Sequence, residues 1–326
     1  MNRLAVVCVA TLNFGCLPAR AQLPKLEPPE YRIEPFTVEH IRGYADQGVD
    51  LLSNEGPGHR WMYRAVHDLR IDVMEFLLER GRKANDLLLF DRTALWYVAY
   101  HSRRANGDPV NAADLLLRYG ANIDFAETRW SEDTILHAVA PHGSSELAAY
   151  LIRRGADMEA QNVRGQTPLM KACEDLRRPS NPDDTERGRK RRAARDSLIR
   201  TMVEAGCDPL RPGQRSATPL HIIAFVGRTD LADVVFRAKK YADLVTVDGQ
   251  TPLHVATLTR TNSEMVRLLL KAGADPNLLD VSNERPLDIA ERKNFTELVQ
   301  ILRPVTGSFA NSDFAAVKML DTLHDL

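Results

Sequence analysis

The chain repeats a four-residue motif at nearly regular intervals. The motif Thr-Pro-Leu-Met/His occurs three times and has three weaker copies; the six copies begin at Thr93, Thr134, Thr167, Thr218, Thr251 and Arg285. The spacings between their second residues are 41, 33, 51, 33 and 34 residues, which indicates a 33-residue unit with two insertions. Such a period predicts a solenoid, in which each unit packs only against its neighbours.

Each copy of the motif has the composition of a helix start. Thr251 is a good N-cap, because its hydroxyl can accept a hydrogen bond from a backbone N–H of the first turn, and Pro252 suits the first helical position. Leu253 begins an apolar stripe at helical spacing. A second helix is predicted over Glu264–Lys271, and Gly273 is a typical C-terminal cap.

This order recurs seven times between residues 61 and 303. Five units end in a glycine that begins the exit, the loop leaving the second helix, and at Gly155 and Gly273 this exit reads Gly-Ala-Asp. Motif, exit and period together resemble the ankyrin repeat. The resemblance implies an all-α fold, an ankyrin-repeat solenoid of about seven helix-turn-helix units joined by short hairpin loops. It also implies that partner proteins bind to the hairpin tips and inner helices, which form one concave face.

The first 21 residues have the composition of a Sec signal peptide. Arg3 precedes an apolar run, Leu4 to Leu12, that is too short to span a bilayer, and small residues at positions 19 and 21 favour cleavage between Ala21 and Gln22. The alternative is an ordinary buried N-terminal segment. We therefore expect an exported protein, periplasmic in a bacterium or secreted, without a membrane span after cleavage.

The remaining chain divides by composition. Residues 22–36 form a Pro-rich extended segment, 37–60 a capping helix and turn, 61–303 the repeats, and 304–326 a tail with an amphipathic helix. Within 37–60, apolar residues on one face predict a helix from Thr37 to Leu52, and residues 55–58 predict a turn. The tail helix either folds onto the last repeat or binds a partner. The two insertions that break the period lie near residues 102–108 and 179–195.

The second insertion contains a basic run over residues 187–195. It suggests a nuclear signal or a nucleic-acid contact, or else a solvated loop that lengthens the second helix of its repeat. Export and a formal net charge of −1 argue against nucleic acid as a partner. Contact with an acidic partner stays open as a function for this run.

The sequence gives no positive indication of catalysis, a metal or a cofactor. His137, His221 and His254 each hold the fourth motif position of a different repeat, where ankyrin sequences carry a structural histidine. Cys173 and Cys207 follow the predicted cleavage site, and export favours a disulfide between them. Their expected positions, about 9 Å apart along the first helix, argue against one.

The candidate partner-binding residues lie on the predicted hairpin tips and inner helices. Ten of the 21 aromatic residues fall between 61 and 130, and interfaces favour Trp, Tyr and Arg. We expect Trp96 and Tyr97 to fill the core. The predicted contact residues are Phe90, Asp91, Tyr100, His101, Arg129, Trp130, His142, Arg164 and Glu174.

These features favour a monomeric, non-catalytic interaction module or scaffold that binds a protein in the periplasm or outside the cell. A secreted effector that engages a host protein is the alternative. An enzyme with an unrecognised site is a third hypothesis, for which nothing in the sequence argues.

Overall fold

The computed structural model describes residues 36–52, 57–102, 107–128, 131–142, 144–177, 186–239, 243–260 and 262–306. These residues contain α-helices, short 3-10 turns and no strand. The predicted signal peptide, nearly all of the Pro-rich segment and the predicted tail helix lie outside the described residues.

The α-helices are α1 Val38–Asp46, α2 Pro57–His67, α3 Ile71–Glu79, α4 Ala94–His101, α5 Pro109–Arg118, α6 Ile135–Val139, α7 Ser145–Arg153, α8 Pro168–Glu174, α9 Glu186–Glu204, α10 Pro219–Val226, α11 Thr229–Ala238, α12 Pro252–Ala256, α13 Ser263–Lys271, α14 Pro286–Arg292 and α15 Thr296–Leu302.

The chain divides into two compact units, of which the first ends at Val49. Its helix α1 begins after Thr37, whose hydroxyl accepts a hydrogen bond from the His40 N–H at 3.5 Å. The apolar spacing predicted a helix as far as Leu52, and this boundary was wrong. Helix α1 ends at Asp46 because Gly48 takes a left-handed φ of 90°, which turns the chain.

The second unit, from Asp50 onward, contains seven helix pairs, α2/α3 to α14/α15. The first helices of the pairs pack on one another in chain order, and so do the second helices. This arrangement confirms the predicted ankyrin solenoid. The insertion near 102–108 lies between α4 and α5, as expected from the spacing of the motifs.

The first pair begins earlier than the sequence suggested. A turn was predicted through residues 55–58, but α2 already begins at Pro57, whose fixed φ suits the first position of a helix. Gly58 packs directly on the preceding segment, since a Cβ there would lie 2.0 Å from the Leu51 carbonyl oxygen. Only glycine fits this close approach.

The motif threonines cap their helices as predicted. Thr93, Thr167, Thr218 and Thr251 each accept a hydrogen bond from the backbone N–H three residues later, at 3.3 to 3.4 Å. The third motif residue is a buried leucine in all six copies, namely Leu95, Leu136, Leu169, Leu220, Leu253 and Leu287. The cap therefore fixes where each helix starts, and the leucine fixes which face turns inward.

The motif histidines join one repeat to the next. In each case the backbone N–H of the capping threonine donates to the histidine Nδ1, at 3.1 to 3.2 Å. The ring is thereby left with its proton on Nε2, which lies 2.7 to 3.1 Å from a backbone carbonyl of the following hairpin. The pairs are His137 with Gln166, His221 with Gln250, and His254 with Glu284.

Burial keeps these histidines neutral. It lowers the pKa of His137 and of His221 from 6.5 to about 4, although the hydrogen bond to the carbonyl opposes the shift. Burial also lowers the pKa of His254. The histidines are thus structural, as their place in the motif indicated.

Helix α9 is the exception among the second helices. It has 19 residues, whereas the other second helices have 7 to 10. Its C-terminal half buries Leu198, Ile199, Met202 and Val203, but no side chain described between 186 and 195 is buried. The second insertion therefore lengthens this helix, while residues 178–185 lie outside the described part.

The two cysteines do not form a disulfide. Cys173 and Cys207 are both free and buried. Burial raises the pKa of each thiol to about 12, so both are protonated, unreactive core residues.

We expect Leu253→Ala to destabilise the protein far more than deletion of residues 179–195. Leu253 is fully buried, and truncation of such a leucine costs about 2–5 kcal/mol. The deletion leaves α9 with residues 196–204, which is the length of α7, and should cost less than about 1 kcal/mol. Urea unfolding of both variants measures the difference. A larger loss from the deletion would show that the insertion belongs to the core.

Stability should fall as the pH drops below 6.5. His137 and His221 take up protons at about pH 6.5 when unfolded but only near pH 4 when folded, so acid favours the unfolded chain. Each contributes a loss of up to about 1.4 kcal/mol per pH unit within this window. Denaturant unfolding between pH 7.5 and 5 measures the slope, and His221→Asn should reduce it. An unchanged slope in that variant would contradict the assignment.

Candidate protein-binding surface

Backbone hydrogen bonds connect neighbouring hairpin tips. The tip N–H of one hairpin donates to a tip carbonyl of the hairpin before it, at 3.0 to 3.1 Å. The pairs are Val163 to Ser131, Val247 to Arg215, and Val281 to Asp248. Each of these three pairs of successive tips is therefore held in a fixed register. We name the tips at residues 131, 163, 215, 247–248 and 281 the platform.

Side-chain oxygens fix the exits in the same way. An Asn, Asp or Glu oxygen in one exit accepts the backbone N–H of a residue in the next, at 2.7 to 3.2 Å. The pairs are Asn85 with Asn122, Asp124 with Asp157, Glu159 with Asp208, and Asp243 with Asp275. These contacts orient the hairpins relative to the helices that follow them.

The N-terminal aromatic residues form part of the core. Tyr63 and Tyr97 meet edge to face at 5.0 Å between ring centroids, and both are buried. Trp96 is also buried, stacks on Tyr100 at 5.2 Å and lies under the Arg92 guanidinium at 3.9 Å. As predicted, Trp96 and Tyr97 fill the core, so most of the aromatic enrichment reflects packing.

One predicted contact residue must be corrected. His101 is fully buried, with its ring 4.7 Å from that of His67 and stacked on Tyr97 at 5.8 Å. It lies on the last turn of α4, on the side that faces the neighbouring helix rather than solvent. His101 therefore does not present its side chain to a partner.

The other predicted contact residues differ in exposure. Asp91 is exposed, and four are half-buried, namely Phe90, Tyr100, Arg164 and Glu174. Phe90 and Asp91 take left-handed φ values of 58° and 57°, an uncommon backbone conformation for such residues. Arg129, Trp130 and the side chain of His142 lie outside the described residues.

Four exposed apolar side chains lie on the hairpins that precede α12 and α14. They are Val245, Val247, Leu279 and Val281, with exposed fractions of 48%, 55%, 54% and 70%. We name these four residues the tip cluster. The two hairpins touch, because a Cβ on Gly249 would lie 3.0 Å from the Val281 backbone nitrogen. Adjacent exposed apolar residues are typical of a binding surface, whereas single ones are common anywhere.

The predicted contact residues do not include the tip cluster, although the repeat register places Val247 and Val281 on hairpin tips. A single valine on a tip does not by itself indicate a contact. The informative pattern is the pair of positions held by Val245 and Val247 before α12, which are again both apolar before α14, as Leu279 and Val281. Before α8 the same two positions hold Gln161 and Val163, of which only one is apolar.

Several charged groups around the platform pair with one another. Beside the tip cluster, Arg215 pairs with Asp248 at 2.9 Å, an exposed pair of little energetic value. Asp133 is a largely buried carboxylate that forms an ion pair with Lys171. Burial alone would raise its pKa, but contact with the Lys171 ammonium and an Asn162 hydrogen bond of 2.9 Å outweigh burial and lower it. This ionised, paired carboxylate links two repeats.

A family model described as ankyrin repeats in three copies matches residues 95–179, 191–280 and 220–312. The chain belongs to the ankyrin repeat family. Membership implies a protein–protein interaction module, because the relatives in this family are generally non-catalytic binding proteins.

Two human proteins illustrate the similarity. The chain is 27% identical over 290 residues to ankyrin repeat and SOCS box protein 16, and 28% identical over 268 residues to NF-kappa-B inhibitor zeta. These alignments cover 85% and 73% of this chain but only 58% and 36% of the two relatives. The crystal structure of the human ASB11 ankyrin repeat domain matches with a TM-score of 0.58 and 19% identity, over 76% of this chain and 99% of that domain. That match supports the fold alone.

Two further properties hold for the described residues between 36 and 306. None of their helices combines the length and apolarity needed to cross a bilayer. They also contain no group of three or more His, Cys, Asp or Glu side chains placed to hold a metal ion.

Proposed function

We propose that this ankyrin protein is exported and acts in the periplasm or outside the cell as a monomeric, non-catalytic scaffold. The observation that carries the binding proposal is the tip cluster, four exposed apolar side chains on two hairpins held in register. Rigid loops on a helical stack lose little conformational entropy on binding, which favours recognition of a partner surface.

The contact surface extends along the platform from the tip cluster toward the first helices. We place in it the exposed Asp91, the half-buried Phe90 and Tyr100, and Arg164 and Glu174 at intermediate repeats. Trp130 immediately precedes Ser131, the tip residue that pairs with Val163, and we retain it with Arg129 and His142 as proposed contacts. The proposed contact surface is apolar at the tip cluster and carries polar and charged residues toward its other end. This combination favours a folded protein as the partner.

Export rests on the first 21 residues. Arg3, the short apolar run and the small residues at 19 and 21 support it. An oxidising compartment is compatible with two cysteines that are buried rather than reactive.

The mature chain should begin at Gln22. N-terminal sequencing of the protein from the cell envelope or culture medium measures this directly. Ala21→Glu should block cleavage and leave a precursor, because the peptidase requires a small residue there, whereas Arg20→Ser at the tolerant middle position should not. A cytosolic product that begins at Met1 would refute export.

Replacing Val247 and Val281 with Asp should weaken partner binding about tenfold or more. Both side chains are more than half exposed, so stability should change by less than about 1 kcal/mol for the pair. Val305→Asp is the matched control, since Val305 has an exposed fraction of 48% and follows α15, outside the proposed contact surface.

The measurement has two stages. Capture from envelope extracts with the wild-type chain identifies the partner, and titration calorimetry then compares the variants. Equal loss of affinity in the Val305→Asp control would show that the tip cluster has no special role. Unchanged affinity in the double variant would exclude it from the interface.

A further inference from the structure

The N-terminal half of α9 carries six basic residues and one acidic residue. The basic residues between 186 and 195 are Arg187, Arg189, Lys190, Arg191, Arg192 and Arg195, and the acidic one is Glu186. Lys190 pairs with Glu186 at 2.7 Å, and both side chains are more than 70% exposed. We name residues 186–195 the basic extension.

The basic extension continues past its neighbours. Helices α7 and α11 flank α9, and their first residues lie level with residues 196 and 197 of α9. The hydroxyl of Ser145 lies 3.2 Å from that of Ser197, and Arg228, next to the start of α11, bonds to Asp196 at 2.8 Å. Residues 186–195 therefore extend beyond the starts of both neighbouring helices.

The buried face of α9 also stops at this level. Leu198 and Ile199 are buried, but the positions one and two turns earlier on the same face are Ala194, Arg195 and Arg191. Arg191 is exposed. Ala194 and Arg195 at the C-terminal end of the extension are half-buried, but none of its described side chains is buried, so apolar packing explains little of its helicity.

Its charge pattern also disfavours an isolated helix. Arg187 and Arg191, and Arg191 and Arg195, are like charges four residues apart, which destabilises a helix by about 0.2–0.5 kcal/mol per pair. Cations in the first turns also oppose the helix dipole. Charged residues that destabilise the helix containing them are typical of functional segments. A bound ligand of opposite charge offsets the repulsion between the basic side chains.

We propose that the basic extension binds an acidic, extended segment of a partner protein. Ten helical residues span about 15 Å, and an extended peptide covers that length with about five residues. The occupant is therefore a short run of Asp and Glu, about four to six residues long. This proposal names a ligand for the proposed scaffold. It rests on the proposed function only in taking that ligand to be a protein.

The surroundings favour a peptide over nucleic acid. Glu146 at the start of α7 and Asp230 at the start of α11 place negative charge just past the C-terminal end of the extension, level with residues 197–200 of α9. Asp230 is itself paired with Arg200 and Arg228, at 2.6 and 2.8 Å. A duplex carries its phosphates continuously and would run onto these acidic borders, whereas a short acidic peptide ends before them.

The test uses the full chain and a fluorescein-labelled octaglutamate peptide, with anisotropy measured at low salt. An octaserine peptide and a 20-base-pair duplex serve as comparison ligands. We expect octaglutamate to bind at least about tenfold more tightly than octaserine, and about 300 mM NaCl to remove the difference, because exposed charges are screened.

The decisive variant is the double substitution Arg189→Glu with Arg191→Glu, two exposed positions of the extension. Its matched control is Arg267→Glu with Lys271→Glu, two exposed basic residues on the equivalent helix α13. We expect about a tenfold loss of octaglutamate affinity in the first and less than about a twofold change in the second. Circular dichroism verifies folding, and Arg189→Gln with Arg191→Gln provides a milder pair if the reversal unfolds the chain.

Three results would overturn the proposal. These are failure of the wild-type chain to prefer octaglutamate, equal loss in the α13 control, and tighter binding of the duplex that is lost in the α9 variant. Because the probe is synthetic, the result does not depend on the tip cluster or on export. If the basic extension does not bind octaglutamate while partner binding at the tip cluster is unchanged, only the peptide-binding proposal fails and the proposed scaffold function is unaffected.

Discussion

A single hydrogen-bonded unit, the threonine–histidine pair at the start of a first helix, both starts a repeat and connects it to the next. The histidine Nδ1 accepts from the threonine N–H, and this fixes the proton on Nε2, which then reaches the carbonyl of the following hairpin. A single ring therefore sets the helix start and the distance to the next unit. It can do so only while neutral, and burial keeps it neutral. Where the pair is absent, as at Trp96 and Met170, packing and the exit-loop contacts hold the repeats together.

The helix starts were predictable because they depend on local chemistry. Threonine caps, Pro at the first position and Leu at the second are all adjacent in sequence, so the motif alone locates the first helices. Boundaries without such a motif were harder. Helix α1 ends at Asp46 rather than Leu52 because of the left-handed turn at Gly48, which the apolar spacing of Val49 and Leu52 concealed.

The binding surface was less predictable because exposure depends on neighbours distant in sequence. His101 looked accessible at the end of α4, but His67 and Tyr97 enclose it. Conversely, the repeat register places Val247 and Val281 on hairpin tips, but only the structure shows that both lie in solvent beside other exposed apolar residues. A periodic sequence shows which positions are equivalent, but not which equivalent positions remain uncovered after stacking.

The second insertion enters between α8 and α9, at the turn opposite the hairpin end of its repeat. The basic extension and the platform of hairpin tips thus lie at opposite ends of the helix pairs. A partner that carries an apolar surface and a separate acidic segment would gain from both, because the first contact raises the effective concentration of the second. Two weak contacts of this kind give avidity only when the partner's linker spans the length of a helix pair. The length of a helix pair would then select partners by the distance between their apolar surface and their acidic segment.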